Sequence, residues 1–134
     1  MQRIRVTAAI ILENGRILAT QRHDHDSTGG KWEFPGGKIE PGETPEACLR
    51  RELHEELDVD ADIGELFMET IHAYPSKTVE LLVYHAAIRA GTIVLHAHQA
   101  CRWMPIHELD QLDWLAADWP IVAKIQSQKS CQTL

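Results

Sequence analysis

Arg51-Glu52-Leu53-His54-Glu55-Glu56-Leu57-Asp58-Val59 is the stretch on which the reading of this chain turns. In a helix, Glu52 stands beside Glu55 at i+3 and beside Glu56 at i+4, so three carboxylates share one face. Like-charged neighbours at these spacings cost roughly 0.2–0.5 kcal/mol each on an isolated helix, and more where water is scarce. A solvated acidic face, helped by Arg51 reaching Glu55 at i+4, is one explanation. A bound divalent cation is the other. Clustered carboxylate oxygens without a cysteine or histidine cage suit a hard ion, Mg²⁺ or alternatively Mn²⁺.

Working outward, Thr44-Pro45 marks the start of this helix, because threonine caps free amides and proline fits the first helical position. Leu49, Leu53 and Leu57 recur at spacing four and predict the buried stripe, and the helix should stop near Asp58 to Asp60. Ahead of it lies Trp32-Glu33-Phe34-Pro35-Gly36-Gly37-Lys38, too rich in Gly and Pro for a regular element. Its glycines let a backbone approach a ligand closely, and Lys38 and Arg51 offer positive charge to phosphate oxygens.

Gly37, five residues, Glu43, seven residues, then Arg51-Glu52-Leu53-His54-Glu55-Glu56-Leu57-Asp58-Val59 resembles the Nudix box, G-x5-E-x7-R-E-U-x-E-E-x-G-U with U apolar. Asp58 stands where the box has its last glycine. That position is often left-handed at a helix end, a conformation that Asp tolerates better than most residues. Within the superfamily the chain looks most like the MutT branch and its CTP pyrophosphohydrolase type.

The resemblance implies a single α/β domain over residues 1–128, an α/β/α sandwich around a mixed sheet, with a polar tail over 129–134. It implies that Glu52, Glu55 and Glu56 hold metal together with the Gly36 carbonyl, and that Arg51 and Glu43 orient this network. Metal-activated water would then attack the β phosphorus of a nucleoside triphosphate, leaving a monophosphate and pyrophosphate. It further implies that Arg22 contacts the nucleotide, and that Phe34, Tyr74 and Asp118 shape the base pocket. The glutamate that relatives carry before Gln99 is Ala97 here, so the base is either Glu52 or Glu56 through a metal-held water, or His96 or His98. For that His-x-His the plainer reading is two loop histidines facing opposite ways.

The same resemblance leaves the nucleobase open. An ionised Asp118 only accepts hydrogen bonds, which favours the two adjacent donors of guanine or 8-oxoguanine. Cytosine would require Asp118 to be protonated, or to meet the exocyclic amine with one oxygen only. The expected substrates are therefore 8-oxo-dGTP or, alternatively, CTP and modified dCTP, with a non-catalytic ligand-binding Nudix module as the competing class. Nucleotide-pool sanitation is the cellular duty implied.

The rest of the sequence sets bounds. The chain has 134 residues, 44% hydrophobic and 25% charged, enough for one well-cored domain. Its net charge of −7 argues against gripping a nucleic acid polymer, which needs a basic face. Val6 to Leu12 is too short to span a membrane, and no secretory leader precedes it, so a cytoplasmic protein, monomeric or homodimeric, is expected. Cys48, Cys101 and Cys131 form no Cys-x-x-Cys pair and read as reduced thiols. Strands are predicted over Arg3 to Leu12 and Arg16 to Gln21 about an Asn14-Gly15 turn, over Glu65 to Tyr74, Thr78 to Ile88 and Ala100 to Met104. A second helix is predicted over Trp114 to Gln128. The polar loop His23-Asp24-His25-Asp26 is read as surface rather than as a dedicated metal site.

Overall fold

The computed structural model describes residues 2–128; the expected tail and Cys131 lie outside them. Six strands and two helices follow in the order β1 (Gln2–Glu13), β2 (Arg16–Gln21), β3 (Trp32–Glu33), α1 (Pro45–Leu57), β4 (Asp60–Ala73), β5 (Lys77–Ala90), β6 (Ala100–Pro105) and α2 (Trp119–Gln128). Asn14 and Gly15 both take positive φ, 54° and 77°, which matches the twist of a two-residue hairpin between β1 and β2. β1 then runs parallel to β5, with Gln2 opposite Lys77 and Ile11 opposite Ala86. β5 pairs antiparallel with β4, and β2 pairs antiparallel with β6. The sheet is therefore mixed, in the order β3-β2-β1-β5-β4 with β6 on β2.

Alternation along β1 divides the core in two. Ala9 and Ile11 face Leu49, Leu53 and Leu57 of α1, together with Leu18, Leu82 and Tyr84. Ala8 and Ile10 face the opposite side, where Ile121, Val122 and Ile125 of α2 pack with Trp114 and Leu109. This is the expected α/β/α sandwich. Leu49, Leu53 and Leu57 are fully buried, each contributing roughly 1.5–3 kcal/mol of burial. The Thr44 hydroxyl accepts the Ala47 N–H at 3.1 Å, and Asp58 ends α1 at φ 65° with its N–H on the His54 carbonyl at 3.0 Å. The substituted box position is thus the left-handed residue that its place demands.

Trp32 and Glu33 pair with β2 as the short strand β3, where no regular element was expected, and two boundaries differ from expectation by five residues each. β4 begins at Asp60 rather than Glu65, because its register shifts between Ile63 and Leu66 and again before Met68. Those bulges break the two-residue alternation by which a strand is recognised. α2 begins at Trp119 rather than Trp114. Trp114 bridges to Trp32 beside the sheet, and Ala116–Asp118 forms a 3₁₀ turn before Pro120 enters the first turn of the helix.

The segment ahead of α1 is held against β1. Ala9 N–H donates to the Pro35 carbonyl and Thr7 N–H to the Gly37 carbonyl, each at 2.8 Å, and Ile39 N–H donates to the Arg5 carbonyl at 3.0 Å. A Cβ at Gly36 would strike the Thr7 carbonyl, and one at Gly37 would strike the Glu52 carboxyl. The two glycines are what allow this loop, β1 and α1 to meet.

Candidate active site

Arg51 organises the carboxylates of α1. Its Nε donates to Glu43 Oε2 at 2.6 Å, its NH2 group to Glu43 Oε1 at 3.0 Å and to the Lys38 carbonyl at 3.2 Å. Its NH1 group donates to Glu52 Oε2 at 2.8 Å and to Glu55 Oε1 at 3.3 Å. The fork ties helix, loop and cap together as only a guanidinium can. Bonds from Arg51 hold the Glu43 carboxyl down to about pKa 2, and Glu43 in turn raises the Arg51 guanidinium.

Glu56 is different in kind. Burial first, then the charges of Glu33 and Glu52, push its carboxyl up to about 9. Its Oε1 is buried with no hydrogen-bond partner. A buried carboxyl beside two others is costly to ionise, and a cation reverses that cost. The orphaned oxygen and the neighbouring Glu52 carboxyl offer hard oxygens of the kind a divalent ion takes, while the Gly36 N–H bonds the Glu56 carboxyl. Glu55, with a side chain 57% exposed, stands at the rim. Among the described residues no three such side chains converge tightly as they stand; Arg51 occupies the space between Glu43, Glu52 and Glu55.

A cavity of about 560 Å³ opens from this cluster. Gly36, Gly37 and Glu56 line one part of it; Phe34, Tyr74 and Asp118 line another, with Arg22 and Glu33 also in its wall. Asp118 is buried, and its Oδ2 accepts the Phe34 N–H at 2.9 Å. Burial raises its carboxyl to about 8, outweighing that hydrogen bond. That rise favours the protonated carboxyl, which is one of the ways Asp118 could meet cytosine. The Tyr74 hydroxyl accepts the Ala117 N–H at 3.3 Å, and Phe34 stacks on Trp114 with ring centroids 4.5 Å apart.

Of the residues expected here, Gly36, Glu56, Arg22, Phe34, Tyr74 and Asp118 line the cavity. Glu52, Glu43 and Arg51 stand behind the glycine loop. The Lys38 side chain is exposed and outside the cavity lining, and its carbonyl accepts from Arg51. Pairing of Val6 with Lys38 fixes that orientation. The two candidate histidines part company. His96, half-exposed, lies 3.7 Å from Asp58, whereas His98 is buried with Nε2 2.7 Å from Glu33 Oε2. Asp24 of the polar loop is bound by Gln99 through its backbone N–H and its Oδ1.

Sequence reasoning missed Glu33, and it weighed His98 as a base rather than as the partner of Glu33. The signal for Glu33 was a charged residue between two aromatics, Trp32 and Phe34, both of which are buried. Nothing local marked the pairing of His98 with Glu33, which stand 65 positions apart. A second cavity of about 520 Å³, lined by Asp62, Ile63, Glu65 and His85 among others, contains none of these groups.

The chain matches the NUDIX domain over residues 1–125. It is 35% identical over 132 residues to the CTP pyrophosphohydrolase of Escherichia coli K12, covering 98% of each sequence. It is 32% identical over 127 residues to the 8-oxo-dGTP diphosphatase of the same organism, covering 94% of this chain and 98% of that one. The solution structure of the E. coli ORF135 protein superposes with a TM-score of 0.85 at 34% identity, over 98% of this chain and 94% of the other. With the box on α1 and the fold both in place, the chain belongs to the Nudix family and is a hydrolase of its MutT-like, nucleotide pyrophosphohydrolase branch.

Proposed function

We propose that the protein hydrolyses a nucleoside triphosphate to the monophosphate and pyrophosphate, with Mg²⁺ or Mn²⁺ held by Glu52, Glu56 and the Gly36 carbonyl and with Glu55 at the rim. One observation carries this reading: a buried, unpartnered Glu56 oxygen at one part of a cavity whose other part is a buried carboxyl set among aromatics. When bound, the cation neutralises phosphate charge and lowers the pKa of a water. Arg51 and Glu43 hold Glu52 against the glycine loop, so its position is fixed before substrate arrives. Arg22, whose buried Nε has no partner, offers a cation to the nucleotide. His96 faces away and His98 is engaged by Glu33, which leaves Glu52 and Glu56 as the carboxyls that govern the attacking water.

At the base end, a neutral Asp118 presents a donor beside an acceptor. Cytosine offers the complement through N3 and its exocyclic amine. The likeness along nearly the whole chain to a CTP pyrophosphohydrolase supports the same choice, so CTP and modified dCTP are the substrates proposed first. The oxidised guanine of 8-oxo-dGTP is the second reading. Its O6 and N1–H also complement a neutral carboxyl, and the likeness to an 8-oxo-dGTP diphosphatase supports it. Either substrate gives the protein a place in sanitising a cytoplasmic nucleotide pool. No helix among the described residues is long and apolar enough to cross a membrane.

The test is pyrophosphate release with Mg²⁺ across CTP, dCTP, 5-methyl-dCTP, dGTP, 8-oxo-dGTP and ADP-ribose. Preference for cytidine nucleotides is expected. Preference for 8-oxo-dGTP would install the second reading, and silence on every compound would overturn catalysis in favour of a ligand-binding module.

A further inference from the structure

Glu33 is held on both oxygens. Arg22 NH1 donates to Oε1 at 3.2 Å, and His98 Nε2 lies 2.7 Å from Oε2. A carboxylate only accepts, so His98 Nε2 carries the proton. The Glu33 side chain keeps 20% exposure and lines the cavity; that of His98 is 2% exposed and does not. The histidine therefore reaches the cavity only through Glu33.

The backbone around His98 is fixed from both sides. Val94 N–H donates to the Leu57 carbonyl at 2.9 Å and His96 N–H to the Glu56 carbonyl at 3.0 Å, tying the loop to the end of α1. Gln99 N–H donates to the Gln21 carbonyl at 2.9 Å, tying it to β2. His98 Nδ1 is buried without a hydrogen-bond partner, which is a cost to the fold. An apolar residue would fill the same space without that cost. Glu33 meanwhile stands near enough to both Glu56 and Asp118 for its charge to bear on each.

We propose that His98 is a positioning residue of the nucleotide site, its Nε2–H fixing the Glu33 carboxylate so that Glu33 and Arg22 meet the substrate as one preset pair. The proposal rests on the nucleotide reading above. Glu33 then supplies an acceptor to a substrate amine or hydroxyl donor, and Arg22, whose NH2 group also lies 3.6 Å from Asp26 Oδ2, keeps its unpartnered Nε–H for phosphate. Preorganisation of this kind tightens binding by removing the cost of ordering two long side chains on arrival. The effect belongs in KM rather than kcat.

The experiment compares wild type with His98→Ala, His98→Gln, Glu33→Gln and the His98→Ala/Glu33→Gln pair, reading kcat and KM for CTP and 8-oxo-dGTP at saturating Mg²⁺. His98→Ala is expected to raise KM about tenfold with kcat changed less than about threefold. His98→Gln, which restores an N–H donor, should recover most of the loss. In the Glu33→Gln background, removing His98 should add less than about twofold, since the two act as a unit. A KM within about twofold of wild type for His98→Ala, additive losses in the pair, or failure of glutamine to rescue would each overturn the proposal. Should His98→Ala not fold, His98→Gln and ¹⁵N spectra of the wild-type imidazole decide: an Nε2-protonated ring whose signal moves in Glu33→Gln supports the clamp, and an Nδ1-protonated ring refutes it. A wild type inactive on both nucleotides would defeat the substrate reading, while the spectra still decide the clamp.

Discussion

Asp118 Oδ2 lies 2.9 Å from the Phe34 backbone nitrogen, and this one bond joins the turn before α2 to the segment that runs into the glycine loop. Through it the Asp118 part and the Glu56 part of the cavity share a single backbone segment, Phe34 to Gly37.

The first prediction concerns the protonation of Asp118. Its carboxyl rises from 3.8 to about 8 on folding. Between those values the unfolded chain has released a proton that the folded chain retains, so stability falls as pH rises through this window. Asp118→Asn should flatten that decline, measured as urea midpoints from about pH 5 to about pH 8. An amide also keeps a donor beside an acceptor, so turnover of CTP should survive in Asp118→Asn and be lost in Asp118→Ala. Equal loss in both variants would show that a charged carboxylate reads the base.

Glu56 supplies the second. Without a cation its buried carboxyl, raised to about 9, is neutral at pH 7. Glu56→Gln should leave the metal-free thermal midpoint within a few degrees of wild type, while abolishing the upward shift that Mg²⁺ or Mn²⁺ produces by mass action. Differential scanning with and without the ion is the check. A variant that keeps the full metal shift would remove Glu56 from the ligand set.

The Arg51 fork is tested by the lysine substitution. Lysine keeps the charge but cannot bond Glu43 through two nitrogens while also reaching Glu52. Arg51→Lys should lower kcat by roughly 10–100-fold, the scale set by loss of groups that orient metal ligands. Because Glu43 is held low, to about 2, the part of stability due to its bond is present above its ordinary value of 4.5 and lost as pH falls toward 2. Arg51→Lys should reduce that acid-limb dependence, followed by circular dichroism between about pH 5 and about pH 2.

Gly37 gives the fourth prediction. Its added Cβ would overlap the Glu52 carboxyl, a side chain able to swing aside at the expense of its Arg51 bond. Gly37→Ala should therefore fold yet lose most of its turnover. A variant as active as wild type would show that the position of Glu52 is not what limits the reaction.

The helix that decides this fold was legible because its signals are local. Thr44-Pro45, the leucines at spacing four and the left-handed Asp58 lie within fifteen residues of one another, and neighbours in sequence are neighbours in a helix. The Asn14-Gly15 turn was legible for the same reason. The bulged start of β4 was not, since a register shift erases the alternation by which a strand is recognised.

For the site, the sequence by itself determined which carboxyls stand together on α1 and which arginine can reach them, because helical spacing settles both. The tertiary structure alone decided the strand order, the meeting of His98 with Glu33, and the burial of Asp118. Burial depends on everything packed around a group, here β3 and the turn before α2, which are more than eighty residues apart. A pKa follows from that environment and not from the residue's own letter.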